Sequence, residues 1–436
     1  MNDRRKFLKA VGVAGSIGIA GCLGGGGEGS QNSSGGDSQG NTGTSGGTEQ
    51  ETSGESTTVS NGSGASSPTQ GNATGNSTNN AGKSNAVSGH YGVSMKGMGQ
   101  AGLFVQGQAA KWYTQDLPDV EITILDAGFD GTKQTQDAIN LINQGIDGLL
   151  LNPWDAQASK QIVDAATEAD TPVMNFDTAT LSKDVLLGAL FGQYRGGKAV
   201  AEKFKQMMES KGMDSAKVIT SVFNFESTTS QQRLYGFTEN IPDSVEIVNR
   251  IETDGTADAA APKTQSALQA NPDVDAIYSN NVGSGMGALI ALEQFGAYHK
   301  KGNEDHVMAF GIDGGPELNQ RILQGYYDFA VDQPLHYYAP ITLELMWDYL
   351  GNGESALPQV GNTVTPGENL TIQNKEVFGI NPWSEPFWGP ADVVNYEAND
   401  QQWWPWMQCQ HAMITQENAD APYLYGNVAA EYEEQN

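Results

Sequence analysis

Five polar residues come at or just after short apolar runs, where predicted β-strands end. They are carboxylates or carboxamides: Asp126, Asn152, Asp177, Asn281 and Asp313. A carboxylate accepts hydroxyl hydrogen bonds and a carboxamide both donates and accepts them, so the set suits a ligand that carries several hydroxyl groups. Asp and Asn are also common in turns and at helix N-termini, which explains any single position equally well. Taken together, in both halves of the chain, the five positions favour ligand binding.

The strands that carry these residues alternate with helices in two successive series. The first series has predicted strands at 91–95, 120–125, 148–151 and 173–176, and the second at 218–222, 247–251, 276–278 and 307–312. Such alternation predicts parallel sheets joined by right-handed crossovers, with ligands bound beyond the carboxyl ends of the strands. The pattern therefore predicts an α/β fold of two Rossmann-like lobes with a cleft between them.

Several motifs between residues 91 and 350 resemble the ribose-type periplasmic binding proteins of sugar importers. They are Asn-Gln-Gly-Ile-Asp-Gly at 143–148, Thr-Pro-Val-Met-Asn-Phe-Asp at 171–177, Arg-Leu-Tyr-Gly-Phe at 233–237, Asn-Asn at 280–281 ahead of Gly-Ala-Leu at 287–289, Phe-Gly-Ile-Asp-Gly at 310–314 and Gln-Pro at 333–334. Each motif is short, but their order and spacing match together. The resemblance implies the type I periplasmic binding protein fold, with parallel sheets in two lobes joined by a hinge. It also implies capture of a small polar ligand, above all a sugar, for an ABC importer.

The same resemblance implies which side chains contact the ligand. The polar candidates are Asn152, Asp177, Arg233, Asn281, Asp313 and Gln333, and the aromatic candidates for the apolar face of a sugar ring are Phe104 and Trp154. The two aspartates are expected to accept hydroxyl hydrogen bonds, and Arg233 to donate them and balance the buried charge. Phe129 is expected to pack instead. The hinge strands are expected near 190–193 and 331–334.

Three positions depart from the family pattern. A loop of Lys96 to Phe104, rich in glycine, stands where the family often has Asn and paired aromatics. Thr178 stands where an Arg commonly follows the Asp, and Val282 replaces the Asp of the Asn-Asp pair. These departures keep the cleft but argue against ribose itself, and the open first loop leaves room for a larger ligand.

The N-terminal 22 residues indicate an export signal. Paired arginines, Arg4 and Arg5, precede an apolar run at 10–20 that is too short to span a bilayer, a pattern similar to a twin-arginine signal. Cys22 follows small residues at the end of that run, which indicates a lipobox. Lipid on Cys22 is then predicted to anchor the protein on the extracellular face of the cell membrane. The alternative is an ordinary cleaved signal.

The rest of the chain divides by composition. Residues 23–89 are rich in Gly, Ser, Asn and Thr, which predicts a disordered tether. Lobe 1 is predicted at 90–190, completed by about 334–360, and lobe 2 at 191–333. Residues 361–436 form an extension with tryptophans at 383, 388, 403, 404 and 406. The extension is expected to lie on the surface, anchored by its aromatics, rather than to cap the cleft or pack across both lobes.

The net charge of the chain argues against nucleic acid as a partner and indicates a salty environment. Lys+Arg is 23 and Asp+Glu is 52, so the net charge is −29. Nucleic-acid binding demands a basic face, which argues against that partner and against a repressor. An acidic surface with few lysines is typical of proteins from strong brine, so a halophilic protein is indicated. We expect a monomer whose partners are the small ligand, an ABC permease and the membrane.

An enzyme is not indicated by the residues that could do chemistry. The five histidines have no metal-ligand spacing, and no metal or other cofactor is expected. Gly283, Gly285 and Ala288 are spaced like a dinucleotide fingerprint, but no acidic strand end follows about 20 residues on. A nucleotide-dependent exported enzyme is therefore a weak alternative. A surface receptor that presents a nucleoside or another small polar signal to a sensor is a second one.

Overall fold

Two β-sheets, each covered by helices, form the part of the protein that the computed structural model describes, which is residues 87–365, 367–370, 372, 388–398 and 401–435. The predicted export signal, Cys22 and the tether up to residue 86 lie outside the described residues, as does Trp383. Every described residue belongs to a single structural unit. In this part of the chain, no helix is both long and apolar enough to cross a membrane.

Strands and helices alternate along most of this unit. The first elements are β1 (Gly89–Met95), α1 (Ala101–Thr114), β2 (Val120–Asp126), α2 (Gly131–Ile142), β3 (Gly148–Asn152), α3 (Lys160–Glu168), β4 (Val173–Phe176) and β5 (Leu187–Phe191). The middle elements are α4 (Gln193–Ser210), β6 (Ala216–Val222), α5 (Thr228–Thr238), β7 (Val245–Glu252), α6 (Ala257–Ala270), β8 (Ala276–Ser279), α7 (Val282–Phe295), β9 (Met308–Ile312), α8 (Pro316–Gln324) and β10 (Phe329–Asp332). The last elements are a 3₁₀ turn at Leu335–Tyr337, α9 (Tyr338–Asn352), a 3₁₀ turn at Glu354–Ala356, β11 (Thr363–Val364), β12 (Ala391–Ala398), β13 (Gln401–Cys409), β14 (Ala412–Ile414) and α10 (Tyr425–Gln435).

The two sheets define two lobes. Lobe 1 is the eight-stranded sheet in the order β11-β12-β13-β5-β4-β3-β1-β2, and lobe 2 is the six-stranded sheet in the order β14-β10-β9-β8-β6-β7. Strands β1 to β5 pair parallel to one another, and so do β6 to β10. Parallel strands need helical crossovers that cover both faces of the sheet, which is why strands such as β3 are apolar and wholly buried. The predicted α/β fold of two Rossmann-like lobes is confirmed.

Local chemistry sets where the helices begin and end. The carboxylate of Asp130 caps α2 by accepting hydrogen bonds from the backbone N–H groups of Thr132 and Lys133. The side chain of Asn281 caps α7 in the same way, through the N–H of Ser284. Gly296 ends α7 in the left-handed conformation, with φ of 77°, which glycine adopts without steric cost. Asp130 and Asn281 therefore fix where α2 and α7 begin, and Gly296 fixes where α7 ends.

Within the residues that the structure describes, the chain passes between the lobes three times. It enters lobe 2 between β5 and α4 and returns between β10 and α9, because α9 packs against β3, β4 and β5 of lobe 1. These two passages coincide with the hinge segments expected near 190–193 and 331–334. A third passage, not expected from the sequence, joins β13 of lobe 1 to β14 of lobe 2 through residues 410–411.

The C-terminal region differs from the expected surface extension, because it supplies strands to both sheets. β13 pairs parallel to β5, with Trp406 opposite Gly188, and β14 pairs antiparallel to β10. Trp388 and Trp404 are almost completely buried. The physical reason is that β5 and β10 would otherwise be exposed edges with unpaired backbone groups, and added strands satisfy them.

Candidate ligand-binding site

Two aspartates, one in each lobe, take the same unusual backbone conformation directly after a strand. Asp177 follows β4 with φ of 60°, and Asp313 follows β9 with φ of 69°. The N–H of each donates to the next strand, to Ala189 O at 3.2 Å and to Val331 O at 2.9 Å. Positive φ is uncommon for residues other than glycine, and Asp tolerates it better than most. The repeated turn places a carboxylate at the same position of the carboxyl edge in both sheets.

Four side chains from lobe 1 donate hydrogen bonds to the carboxylate of Asp177. Lys96 Nζ lies 2.8 Å from Oδ2, and Gln106 Nε2 lies 3.0 Å from Oδ1. Asn152 Nδ2 and Thr178 Oγ1 reach Oδ2 at 3.2 and 3.1 Å. Burial alone raises the pKa of this carboxyl, but the charge of Lys96 and these hydrogen bonds outweigh it and hold the pKa below its ordinary value. Asp177 is therefore ionised at neutral pH.

Lys96 and Gln106 were missed by the sequence analysis. Lys96 follows β1 directly, so the rule that picked out the other strand ends applied to it, but only acidic and amide residues were sought. Its ammonium also donates to Thr178 Oγ1 at 2.6 Å. The loop after β1 thus supplies a cation beside Asp177. In the family pattern that cation is an Arg directly after the aspartate. Gln106 is buried in α1 and carries no local signal.

Asn152 lies in the same cluster, as the sequence predicted. Its Nδ2 also donates to Gln106 Oε1 at 2.8 Å, and its own carbonyl accepts from Gln134 Nε2 at 2.9 Å. Its Oδ1 is buried and makes no hydrogen bond with the described part of the chain. Three amides and one carboxylate therefore hold one another in fixed orientations at the end of β3 and β4.

The lobe-2 cluster brings together three predicted residues, Arg233, Asp313 and Gln333. Arg233 Nη1 lies 2.7 Å from Asp313 Oδ2, and Gln333 Nε2 lies 2.6 Å from Asp313 Oδ1. Arg233 is further held by Asn280 O at 2.8 Å and by Gln193 Oε1 at 2.7 Å. The ion pair is largely buried, with side-chain exposures of 5% and 13%. Loss of either partner leaves an uncompensated buried charge, which is costly.

Tyr338, at the start of α9, lies close to both clusters. Its hydroxyl donates to Gln333 Oε1 at 3.3 Å. Burial raises the pKa of this hydroxyl well above its usual range, and the negative charges of Asp177 and Asp313 raise it further. Because α9 packs against β3, β4 and β5 of lobe 1, the hydrogen bond to Gln333 joins a helix of lobe 1 to the lobe-2 cluster.

A cavity of about 310 Å³ opens beside Asp177. Its lining comes from lobe 1, from lobe 2 and from the hairpin of β12 and β13: Asp177, Ala179, Leu190 and Phe191; Gln193, Thr228, Thr229 and Gln232; and Val394, Asn395, Tyr396, Glu397, Trp406 and Gln408. Gln193 also holds Arg233, which links the cavity to the lobe-2 cluster. The volume lies at the lower end of the range for small-molecule sites, roughly 300–1,000 Å³.

Other candidate residues have different surroundings. The side chain of Asn281 is bonded to Gly255 O and Ser284 N, as a helix cap. Trp154 is 49% exposed and packs edge-on against Phe129, with ring centroids 5.4 Å apart. Phe104 is half-buried and meets Trp112 edge-on. Ligand roles for Asn281, Phe104 and Trp154 stay predictions.

Asp126, the remaining strand-end residue, accepts a hydrogen bond from the N–H of Gly128 at 2.9 Å. Its carboxylate therefore stabilises its own turn, which is the local explanation considered for every one of these positions.

Comparisons with known proteins agree with this architecture. Residues 91–355 match the model of the periplasmic binding protein domain. The ribose import binding protein of Bacillus subtilis is 26% identical over 198 residues, which are 45% of this chain and 61% of that protein. The D-apiose import binding protein of Actinobacillus succinogenes is 24% identical over 204 residues, which are 45% of this chain and 61% of that protein. The matched part thus spans about three fifths of the length of these relatives.

Solved structures share the fold at lower identity. The binding component of the arabinose ABC transporter from Shewanella sp. ANA-3, bound to L-arabinofuranose, aligns with a TM-score of 0.58 at 17% identity, over 80% of this chain and 98% of that one. A sugar ABC transport substrate-binding protein from Bordetella parapertussis aligns with a TM-score of 0.59 at 14% identity, over 78% and 93%. The domain model covers well over half of the sequence, and with the two parallel sheets it shows that this chain belongs to the periplasmic binding protein domain family.

Proposed function

We propose that the protein is an extracytoplasmic solute-binding protein that captures a sugar-like ligand by closure of its two lobes and delivers it to an ABC importer. The observation that carries the proposal is the matched pair of strand-end aspartates, Asp177 and Asp313. Each lies at the carboxyl edge of its own sheet and each is bonded to a cation, Lys96 or Arg233. A ligand bonded to both lobes stabilises the closed state by its differential affinity.

The two clusters have hydrogen-bonding capacity left for a polyhydroxyl ligand. Lys96 uses two of its three N–H donors, on Asp177 and Thr178. Arg233 Nη2 makes no hydrogen bond with the described residues, although its Nε and Nη1 are engaged. Asp313 accepts from two side chains, which leaves lone pairs on both carboxylate oxygens. Charge-assisted donors and acceptors of this kind bind sugar hydroxyls more strongly than neutral groups do.

Isothermal titration of the full chain tests the proposal. The panel is D-ribose, D-apiose, L-arabinose, D-allose and myo-inositol, which are ligands named for relatives or structural neighbours. We expect binding of at least one of them, lost in Asp177→Ala and in Asp313→Ala. Asp126→Ala is the matched control, because this strand-end aspartate stabilises only its own turn. Binding of none of the panel, or equal loss in the control, contradicts the proposal.

Delivery to the membrane is proposed to depend on Cys22. A lipid on this cysteine holds the body near the permease. Cys22→Ser should move the protein from the membrane fraction to the medium and remove the mass of the lipid. An unchanged membrane fraction for Cys22→Ser contradicts the anchor.

We also propose that the acidic surface is suited to high salt. With a net charge of −29, self-repulsion opposes the compact state and is screened by ions. The melting temperature should rise steadily from low salt to molar NaCl. Sucrose at equal osmolality is the control, since it screens no charge, and an equal rise in both solutions contradicts this interpretation.

A further inference from the structure

The hairpin of β12 and β13 forms one wall of the cleft. It lies outside the part of the chain that matches the family domain, which ends at residue 355. Five of its side chains that carry polar atoms or aromatic rings line the cavity beside Asp177, namely Asn395, Tyr396, Glu397, Trp406 and Gln408. Part of the cavity lining therefore comes from residues beyond the segment that matches the family domain.

The hairpin is fixed to lobe 1. β13 pairs with β5, and Trp404 Nε1 donates to Thr180 O at 3.0 Å, three residues beyond Asp177. The ring of Trp404 packs over Gly188, where any Cβ atom would collide with it. Tyr396 stacks on Trp404 with ring centroids 5.1 Å apart and meets Trp406 edge-on at 6.4 Å. A wall built on paired strands and stacked rings holds its shape when a ligand arrives.

Lobe 2 supplies the opposite wall. Thr228, Thr229 and Gln232 project from the first turns of α5 into the same cavity. Arg195 of α4 donates from Nη1 to Gln408 Oε1 at 2.6 Å, which joins the hairpin to lobe 2. Since one wall belongs to each lobe, the cavity is completed by the same closure that brings the two aspartate clusters together.

The lining has the chemistry of a carbohydrate site. Threonine hydroxyls and the amides of Gln232, Asn395 and Gln408 offer neutral donors and acceptors, and Tyr396 and Trp406 offer ring surface for C–H groups. The ionisable lining residues other than Tyr396 are two carboxylates, Asp177 and Glu397, with no Lys or Arg among the lining residues. Because Lys96 balances the charge of Asp177, the negative charge of the lining comes from Glu397, which favours neutral or amino-substituted sugars over uronates and phosphates.

We propose that this cavity is a second subsite, which holds the next sugar residue of a ligand whose first ring is bound by Asp177, Arg233 and Asp313. The inference rests on the proposed function and adds the ligand's size: a disaccharide or longer saccharide rather than a single ring. Asp177 belongs to the first-ring site and also lines the cavity, so the two sugar rings are joined beside this residue.

Titration of the full chain with matched probes tests the subsite. The probes are L-arabinose, D-galactose and D-glucose, the neutral disaccharides arabinobiose, lactose, melibiose, maltose and cellobiose, and anionic digalacturonate. We expect one neutral disaccharide to bind at least about tenfold more tightly than its component monosaccharides, and digalacturonate to bind more weakly than both.

A variant that fills the cavity tests whether the tighter binding of the disaccharide depends on the cavity. Thr228 is exposed, so Thr228→Trp fills the cavity from α5 without disturbing the core. It should abolish the disaccharide gain and leave monosaccharide affinity within about threefold, because only the extra contacts are lost. Thr238→Trp, at the far end of the same helix and outside the lining, should keep the gain.

The outcomes separate the two proposals. Monosaccharide binding that is weakened by Asp177→Ala, with no gain for any disaccharide, overturns the subsite and leaves the proposed function standing. A disaccharide gain that survives Thr228→Trp also overturns the subsite. If no probe of either length binds, the proposed function fails and the subsite fails with it.

Discussion

Lys96 Nζ lies 2.8 Å from Asp177 Oδ2, so the residue after the first strand neutralises the residue after the fourth. Both side chains are mostly buried, with exposures of 19% and 11%. Lys96 supplies the positive charge that an Arg supplies in the family pattern. That Arg would stand at position 178, where this chain has Thr178. Lys96 Nζ bonds that threonine too, so the exchange of positions keeps one positive charge at the aspartate.

Lys96→Met should weaken sugar binding and make it depend on pH. Without the lysine charge, burial dominates and the pKa of Asp177 rises, so the carboxylate that accepts ligand hydroxyls is lost as the pH falls. We expect roughly a tenfold or greater loss of affinity at pH 5, with partial recovery towards pH 8, measured by titration calorimetry across that range. Wild-type affinity should be flat there.

Two further variants make that result specific. Adding Thr178→Arg to Lys96→Met restores a cation beside Asp177 and should flatten the pH profile. Lys133→Met removes an exposed lysine paired with Asp137 and should change nothing. A pH-independent Lys96→Met would show that the lysine does not control the ionisation of Asp177.

His336 should make the protein sensitive to mild acid. Burial lowers the pKa of this histidine to about 3, so the folded protein keeps it neutral while the unfolded chain takes up a proton below about 6.5. Its contribution to stability is complete above the unfolded pKa and is lost as the pH falls, by up to about 1.4 kcal/mol per pH unit. In His336→Gln, the free energy of unfolding measured in urea should fall less steeply between pH 6.5 and pH 4 than in the wild type. An identical slope in both proteins contradicts the assignment.

Asp332 should act in the opposite direction. It is buried at the end of β10, where its Oδ1 accepts from the N–H of Gly314 at 3.0 Å. Burial, with the nearby charge of Asp313, raises the pKa of Asp332 well above its ordinary value. A raised pKa gives stability that is complete below the unfolded pKa and is lost as the pH rises. The difference in melting temperature between Asp332→Asn and wild type should therefore grow in favour of the variant from pH 4 to pH 8. A difference in melting temperature that is the same at pH 4 and at pH 8 contradicts this assignment.

Gly188→Ala should weaken the packing of the hairpin on lobe 1 and lower the stability of the protein. A Cβ atom at this position collides with the ring of Trp404 and lies 3.0 Å from Asn175 O, and overpacking of this kind costs about 1–3 kcal/mol. Thermal unfolding checks the loss. Gly351→Ala is the matched control, since no atom lies within 4 Å of its added Cβ and alanine favours helix, so it should be neutral or slightly stabilising. Equal melting temperatures for the two variants would contradict the packing argument.

Local pattern was enough to predict the fold class and the strand-end residues. Asp177 and Asp313 stand after short apolar runs, and parallel sheets bring such ends to one edge. Lys96 also stands directly after an apolar run, but its partner Asp177 lies 81 positions away, and only the fold brings the two together. The pairing of β13 with β5 could not be predicted for the same reason. β5 lies more than two hundred residues earlier, and nothing within the nine residues of β13 specifies that partner.

The C-terminal helix α10 gives the molecule a natural position for a reporter. Tyr425, its first residue, packs beside Gly102 of α1 in lobe 1 and donates its hydroxyl to Gly314 O, next to Asp313 in lobe 2. Any change in the angle between the lobes must alter these contacts. A fluorescent dye attached near this helix would convert a change in the angle between the lobes into an optical signal, so the chain offers a scaffold for a reagentless biosensor.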